Sequence, residues 1–269
     1  MDSIRENRTK EDILEEIRLE RSEDIRNEKC FVIVEGSDDV LFAKKIFCEN
    51  VICMESFAGK TGLQEILEED EQESDDIIGI RDRDYVNERD LSQRIFLYDH
   101  CCLELMLLAD RCISTSFHQI YYKGKSTCEL FLINAMRQLS AYSILRKKNE
   151  TEELGINFRN VRFGDLVDFA SERLNDEELF LRAKEQERYV RCKQEADAVD
   201  DQALWNITNG HDICTFLGRL SKSGKANMNE DRVRNVLLVS YRKEDFVKTQ
   251  LYQDVLSYQR QKHLRFLEE

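Results

Sequence analysis

Four short apolar runs in the first hundred residues constrain the fold more than any other feature of this sequence. They are Cys30 to Val34, Val51 to Met54, Ile77 to Ile80 and Ile95 to Tyr98, and most are rich in β-branched side chains. Runs of this length and composition are typical of strands that are buried on both faces. Because helical patterns lie between and after them, they predict an α/β fold with a Rossmann-like, mostly parallel sheet flanked by helices.

The remainder of the chain favours helices. Its 269 residues contain no proline and only 10 glycines, the two residues that helix interiors tolerate least. Helical patterns cover residues 9–28 (with Thr9 and Asp12 as the N-terminal cap), Val40 to Phe47, Leu63 to Glu69, Leu103 to Ala109, Leu130 to Leu145, Phe163 to Leu174, Glu177 to Glu195, Asp212 to Leu220, and Val233 to the end. We therefore predict an N-terminal helix over residues 1–29, an α/β domain over 30–115 and a mainly α-helical C-terminal region over 116–269.

Composition excludes several classes of protein. Hydrophobic residues make up 41% of the chain, enough to bury a core, but no apolar run approaches the ~18 residues of a membrane helix. The first residues are charged throughout and lack the apolar stretch of a secretory signal, so we expect a cytoplasmic protein with no membrane segment. Nine cysteines without a C-x-x-C pair indicate reduced thiols and not a zinc finger.

Charge is distributed unevenly along the chain. The net charge is −14; residues 1–110 contain 30 acidic and 14 basic side chains, whereas the remaining residues contain 24 acidic and 26 basic ones. Nucleic-acid binding depends on neutralising phosphates, so a chain this acidic is a poor general nucleic-acid coat. Any such role must be local, with a metal site in the acidic half and basic patches elsewhere.

Acidic residues follow the predicted strands at the positions where ligands of parallel sheets bind. Glu35 follows the first run, Asp82 and Asp84 follow the third, and Glu104 comes after the fourth. In an extended chain Asp82 and Asp84 point the same way, because side chains alternate with period two. Oxygen ligands of this kind suit Mg²⁺ or Mn²⁺, and such a site can hydrolyse a phosphodiester. The alternative is that these acids only cap or solvate loops.

Two further segments are candidates for substrate binding. Gly59-Lys60-Thr61 imitates the end of a P-loop, but Met54 stands where that motif needs glycine, so an ATPase would have to be a separate chain. Lys60 is then either a phosphate contact or a surface lysine. His211 lies in Asn209-Gly210-His211-Asp212, where Asp212 is predicted to cap the next helix; His211 itself either approaches the metal site or a scissile phosphate, or makes a structural hydrogen bond.

The ordered combination of these motifs resembles a known domain. VIVEGSDD through IIGIRDRD, roughly residues 30–110, is similar to the toprim domain of primases, type IA and II topoisomerases, small RNA-maturation nucleases and OLD-family nucleases. YDHCCLELMLL, WNITNGHDICTFLGRL and SYRKEDFVKTQLY extend the likeness over most of the chain. They resemble a bacterial toprim family encoded beside ABC-type ATPases in phage defence, whose best-known members are the AriB effectors of the PARIS system.

The resemblance implies a function and a set of site residues. Glu35 would be a metal ligand or general acid/base, Asp82 and Asp84 would hold Mg²⁺, and Asp39 and Glu104 would complete the acidic cluster. The family implies a toxic, dimeric endoribonuclease that cleaves tRNA once a partner ATPase (AriA-like) releases it after a phage trigger. Two other readings stay open: an OLD-like nuclease that nicks DNA, and a non-catalytic toprim scaffold that docks an ATPase.

Overall fold

The computed structural model describes residues 8–70, 75–85, 91–158 and 160–268. The helices are α1 (Lys10–Glu23), α2 (Ser37–Ile46), α3 (Gly59–Asp70), α4 (Leu103–Ala109), α5 (Arg111–Tyr121), α6 (Cys128–Thr151), α7 (Asp176–Arg182), α8 (Gln186–Asp197), α9 (Asp201–Leu204), α10 (Gly210–Leu220), α11 (Glu230–Ser240), α12 (Lys243–Phe246) and α13 (Gln250–Lys262), with a 3₁₀ turn at Gly164–Leu166. The strands are β1 (Cys30–Val34), β2 (Val51–Glu55), β3 (Ile77–Arg81), β4 (Ile95–Leu97), β5 (Val167–Asp168), β6 (Arg173–Leu174), β7 (Lys222–Ser223) and β8 (Ala226–Asn227).

The first four strands form one all-parallel sheet in the order β2-β1-β3-β4. All residues of β1 and β3 are buried, which explains why these strands read as continuous apolar runs. From β1 the chain passes to β2 on one side and later to β3 on the other, so the topological switch point lies between β1 and β3. The predicted fold class, an α/β Rossmann-like sheet with a helical region, is confirmed.

Contacts divide the chain into two compact units. The sheet unit comprises Met1–Arg83, Asn87–Asp99 and Arg242–Glu269, and the helical unit comprises Asp84–Val86 and His100–Tyr241. Arg242–Glu269 groups with the sheet, although sequence analysis placed it in the C-terminal region; the domain boundaries themselves stay predictions. In the sheet unit the Asp99 carboxylate accepts the backbone amides of Gln250 and Leu251 at 2.9 Å each, and so holds the start of α13.

One hydrophobic cluster supports the sheet from the side of α1 and α3. Its buried members are Ile13, Leu14, Ile17, Phe31, Ile33, Met54, Leu63, Ile66, Leu67, Ile77 and Ile95. The predicted cap of α1 is confirmed: Thr9 Oγ1 accepts the Asp12 amide, and the Asp12 carboxylate accepts the Thr9 amide at 2.8 Å. This cap fixes where the apolar stripe of α1 begins, and that stripe covers one face of the sheet.

The helical unit is organised around α6, which packs against α7, α8, α9 and α10. Its buried side chains include Phe131, Leu139, Tyr142, Phe180, Phe216 and Leu237. In the part of the chain that the structure describes, no helix, α6 included, is both long and apolar enough to cross a bilayer.

The helix predicted over Phe163 to Leu174 is wrong. The segment forms the 3₁₀ turn followed by the two-residue strands β5 and β6. Between these strands the Asp168 carboxylate accepts from both the amide and the hydroxyl of Ser171, at 2.7 and 2.6 Å, and Glu172 adopts a left-handed φ of 57°. Local side-chain hydrogen bonds of this kind compete with helix formation, although the apolar spacing fits a helix.

Two other predicted helices are interrupted. Glu177 to Glu195 is divided into α7 and α8 at Lys184, whose φ is 60°. Val233 to the end is divided into α11, α12 and α13, because Thr249 caps a new helix by accepting the Tyr252 amide at 3.1 Å. In each case the periodicity correctly predicted that the segment is mainly helical, but periodicity does not indicate where one helix ends and the next begins.

Candidate active site

The carboxyl ends of β1 and β3 bring two of the predicted site residues together. Glu35 follows β1 and Asp82 follows β3, and the backbone amide of Asp82 donates to Glu35 Oε1 at 3.0 Å. The buried guanidinium of Arg81 lies 3.8 Å from the same oxygen. The Glu35 side chain remains 23% exposed at the switch point of the sheet, where ligands of open parallel sheets bind.

The start of α2 is built around Asp39. The N-cap is Gly36, and neither Ser37 nor Asp38 caps the helix; the Gly36 amide donates to Asp39 Oδ2 at 3.1 Å. The fully buried Tyr98 hydroxyl donates to Asp39 Oδ1 at 2.8 Å. Burial, together with the Asp39 charge, raises the pKa of Tyr98 well above its usual value, so its phenol stays a donor. Asp39 therefore orders the loop that carries Glu35, and its role as a metal ligand stays a prediction.

The first turn of α3 borders Glu35 from the other direction. Gly59 has a φ of 54°, and a Cβ atom added there would lie 3.9 Å from Glu35 Oε2. Ser56 Oγ donates to the Gly59 carbonyl at 2.7 Å and holds this turn. Lys60 is the next residue and is half-buried. Its contact with a phosphate stays a prediction.

Asp84 does not continue the extended chain of β3. The strand ends at Arg81, and Asp84 lies in a turn with a left-handed φ of 44°. The extended chain that was expected from Asp82 to Asp84 is therefore absent, and period-two alternation, which holds only in an extended chain, does not apply to this pair. Aspartate tolerates this conformation better than most residues. The Asp84 amide donates to the Cys101 carbonyl at 2.9 Å within the helical unit, and its role in metal binding stays a prediction.

The helical unit contains a second cluster of charged residues, which we call the Arg234 cluster: Glu104, His211, Glu230 and Arg234. Arg234 Nε lies 3.1 Å from Glu104 Oε1, and Arg234 Nη2 donates to Glu230 Oε1 at 2.6 Å. His211 Nδ1 lies 2.5 Å from the same Glu230 oxygen. Arginine thus links the predicted ligand Glu104 to the predicted substrate residue His211.

The charges of the Arg234 cluster shift the pKa values of two of its members. The hydrogen bond to Glu230 raises the pKa of His211, although burial opposes the shift. Burial acts to raise the pKa of Glu230, but the hydrogen bond and charge of His211, together with the charge of Arg234, outweigh burial and lower that pKa. His211 thus makes the structural hydrogen bond that sequence analysis kept as one of its two interpretations, and its contact with substrate stays a prediction.

In the Asn209-Gly210-His211-Asp212 segment, steric crowding by Glu104 explains why position 210 is a glycine. A Cβ atom at Gly210 would lie 2.0 Å from Glu104 Oε2. The predicted cap at Asp212 is wrong: Asn209 is the N-cap, and its side chain accepts the Asp212 amide at 3.3 Å. Asp212 is buried instead in an ion pair with Arg146, whose Nε and Nη2 donate to it at 2.6 and 2.8 Å.

Sequence reasoning missed the residues that position the predicted acids. Arg81 and Tyr98 support Glu35 and Asp39 in the sheet unit, and Arg234 and Glu230 hold Glu104 and His211 in the helical unit. No local pattern marks these partners, because each lies in an element far along the chain from the residue it contacts.

The donor chemistry of the sheet unit fits a magnesium ion with few protein ligands. Among the described residues, no group of three or more His, Cys, Asp or Glu side chains is arranged to hold a metal ion. Mg²⁺ retains several waters and often uses only one or two carboxylates together with substrate phosphates. Glu35 and Asp82, which follow neighbouring strands, are two carboxylates, and their role as metal ligands stays a prediction.

Comparison with known proteins does not extend this assignment. No protein-family model matches the chain, and no curated protein is significantly similar to it.

Proposed function

We propose that this protein is a Mg²⁺-dependent endonuclease of the toprim type. The observation that supports it most directly is the hydrogen bond between the Glu35 carboxylate and the Asp82 amide at the switch point of a parallel sheet. Ligands of open α/β sheets bind in the crevice at this point. Acidic residues there suit a metal-assisted attack on a phosphodiester better than binding of an anion alone.

The chain's own residues have separate tasks in this proposal. In this proposal the Glu35 carboxylate, whose Oε1 also accepts the Asp82 amide, is a metal ligand or the general base that takes the proton of the attacking water. Glu35 and Asp82 would hold Mg²⁺ or Mn²⁺. The bound ion would neutralise these carboxylates and stabilise charge that develops on the phosphodiester. Lys60 would contact a substrate phosphate.

The biological setting of the proposal rests on the sequence resemblance. We propose a toxic antiviral effector that acts in the cytoplasm as a homodimer, cleaves RNA, in particular tRNA, and is restrained by an ABC-type, AriA-like ATPase. The late segments WNITNGHDICTFLGRL and SYRKEDFVKTQLY support this setting. Co-expression with such an ATPase should then suppress the growth arrest that the chain causes alone.

Glu35→Gln and Asp82→Asn test the catalytic assignment. Glutamine retains an oxygen that can accept the Asp82 amide, and asparagine leaves that backbone amide in place, so both variants should fold. Glu65→Gln, on the exposed side of α3, is the matched control. We expect induced wild type and Glu65→Gln to stop growth and to produce new RNA ends concentrated in tRNA, and the two site variants to do neither. If both site variants produced as many new RNA ends as the wild type, the proposal would be contradicted. If the wild type nicked DNA and produced no new RNA ends, the substrate would be DNA, as in the OLD-like alternative.

A non-catalytic scaffold is the second candidate, and one observation favours it. Arg234 already neutralises Glu104, so this acid is held by protein and not only by a cation. In a scaffold, the Glu35 and Asp82 variants would leave both ATPase docking and toxicity of the complex unchanged. Purified chain that cleaves RNA in the presence of Mg²⁺ and no other protein would exclude the scaffold.

A further inference from the structure

A cavity of about 710 Å³ lies within the helical unit, and its lining includes none of Glu35, Lys60 and Asp82. Its walls are formed by Phe158, by residues 161–165, by α10 and by the residues that lead into α11. This volume falls within the range of ~300–1,000 Å³ that is usual for small-molecule sites. The lining combines aromatic, cationic and amide side chains, which is the mixture that a ligand with a flat apolar part and a charged part requires.

The acids in the cavity wall are already neutralised by arginines. Asp212 accepts two hydrogen bonds from Arg146, at 2.6 and 2.8 Å. Asp165 accepts two from Arg182, at 2.8 Å each. Glu230, the third acid of the lining, is paired with Arg234 and His211 of the Arg234 cluster.

Two other arginines give the cavity a positive character. Arg162 is exposed and lines the cavity, and Arg219 lines it while donating through Nε to the Val167 carbonyl at 3.3 Å, a contact that leaves its charge intact. Arg219 also interacts electrostatically with Asp165 and Asp168. Because the acids of the lining are already paired with Arg146, Arg182 and Arg234, Arg162 and Arg219 add positive charge to the wall that an incoming ligand meets. Arginine guanidinium groups recognise phosphate through paired hydrogen bonds.

An aromatic wall lies in the same cavity. Phe158 is half-buried and lines the cavity, and its ring is held from one side by the Arg146 guanidinium, 4.4 Å from the ring centroid, and at its edge by Tyr142 at 5.5 Å. Phe163, also in the lining, packs edge-on against Tyr142 with centroids 6.2 Å apart. Rings that are fixed in this way lose little freedom when a planar group stacks on them.

We infer that this cavity binds a nucleotide, with the nucleobase against Phe158 and the phosphate at Arg162 and Arg219. The ligand is either a free mononucleotide or one nucleotide of a single-stranded RNA, because the chemistry presented to the cavity is the same. The side chains of Asn227, Asn229 and Thr215 supply hydrogen-bonding groups for the base or sugar. The inference does not depend on the proposed nuclease activity.

Calorimetric titration of the full chain tests this inference. The probes are AMP, GMP, CMP and UMP, a short single-stranded oligoribonucleotide, and inorganic phosphate, all with excess chelator so that no divalent ion can bind near Glu35. We expect saturable binding of a mononucleotide or of the oligonucleotide, and much weaker binding of phosphate. Binding of mononucleotides identifies a free nucleotide as a ligand, whereas binding of the oligonucleotide alone identifies RNA as the source; both support the inference.

Two variants locate the binding in the cavity. Arg162→Gln removes an exposed charge and should weaken affinity about tenfold, and Phe158→Leu keeps an apolar side chain but removes the stacking face, for an expected loss of about fivefold or more. Arg191→Gln, exposed on α8 outside the cavity, should bind like the wild type. No saturable binding, equal affinity for phosphate and nucleotides, or unchanged affinity in both cavity variants would each overturn the inference. Because chelator is present, none of these results bears on the proposed metal site.

Discussion

The hydrogen bond between Tyr98 and Asp39 offers a quantitative test of how the loop after β1 is held. Asp39→Ala removes the acceptor of the Gly36 amide at the start of α2, which costs about 1 kcal/mol of stability. It also leaves the fully buried Tyr98 hydroxyl without that acceptor, at a further cost of about 1–3 kcal/mol. The free energy of unfolding should therefore fall by about 2–4 kcal/mol.

A double-mutant cycle separates these two contributions. Tyr98→Phe removes only the phenol oxygen, and half-buried Asp39 can then bind water, so we expect a loss of about 0.5–1.5 kcal/mol. In the double variant no buried hydroxyl remains unsatisfied, so its loss should be about 1–2.5 kcal/mol, less than the sum of the single losses. The coupling energy should thus be about 1–3 kcal/mol, measured by urea denaturation followed by far-ultraviolet circular dichroism. Additive single losses would refute the reasoning that Asp39 is mainly an organiser of this loop.

Two further predictions concern the helical unit. Asp212→Ala should lower the free energy of unfolding by about 3–5 kcal/mol in urea denaturation, because it leaves the Arg146 guanidinium, which is 19% exposed, without its carboxylate partner. Asp165→Ala breaks an exposed ion pair and should lower it far less. Equal losses in the two variants would contradict the role of burial. The pKa of His211 is raised above 6.5 by Glu230, so the stability this pair contributes is complete below pH 6.5 and is lost as the pH rises through the raised pKa. His211→Gln should remove that decline from the pH profile of the melting temperature, and an unchanged profile would show that the pair contributes nothing.

The sheet was predictable because each of its strands is marked locally. β1 and β3 are buried on both faces, so burial alone demands an unbroken apolar run, and the sequence shows one at each. The positions of Glu35 and Asp82 next to each other also follow from this, since both residues come directly after those strands. The sequence therefore predicts the two residues of the candidate site that the strands position, Glu35 and Asp82.

The rest depends on contacts between residues that are distant in the chain. The residues next to Glu104 in the sequence do not indicate that it pairs with Arg234, so this partner was missed. The residues next to Asp212 do not indicate that it pairs with Arg146, so Asp212 was wrongly assigned as a helix cap. The left-handed turn at Asp84 was missed because the alternation of a strand was extended past the end of β3, although aspartate favours turns and tolerates a left-handed φ.

Calorimetric titration with Mg²⁺ tests the central claim most directly, because it asks whether the acids at the switch point hold a cation. The full chain should bind Mg²⁺ saturably, and Glu65→Gln should bind it with the same affinity. Glu35→Gln and Asp82→Asn should each weaken that affinity roughly tenfold or more while their circular dichroism spectra stay like that of the wild type. Equal Mg²⁺ affinity in all four proteins would contradict the account.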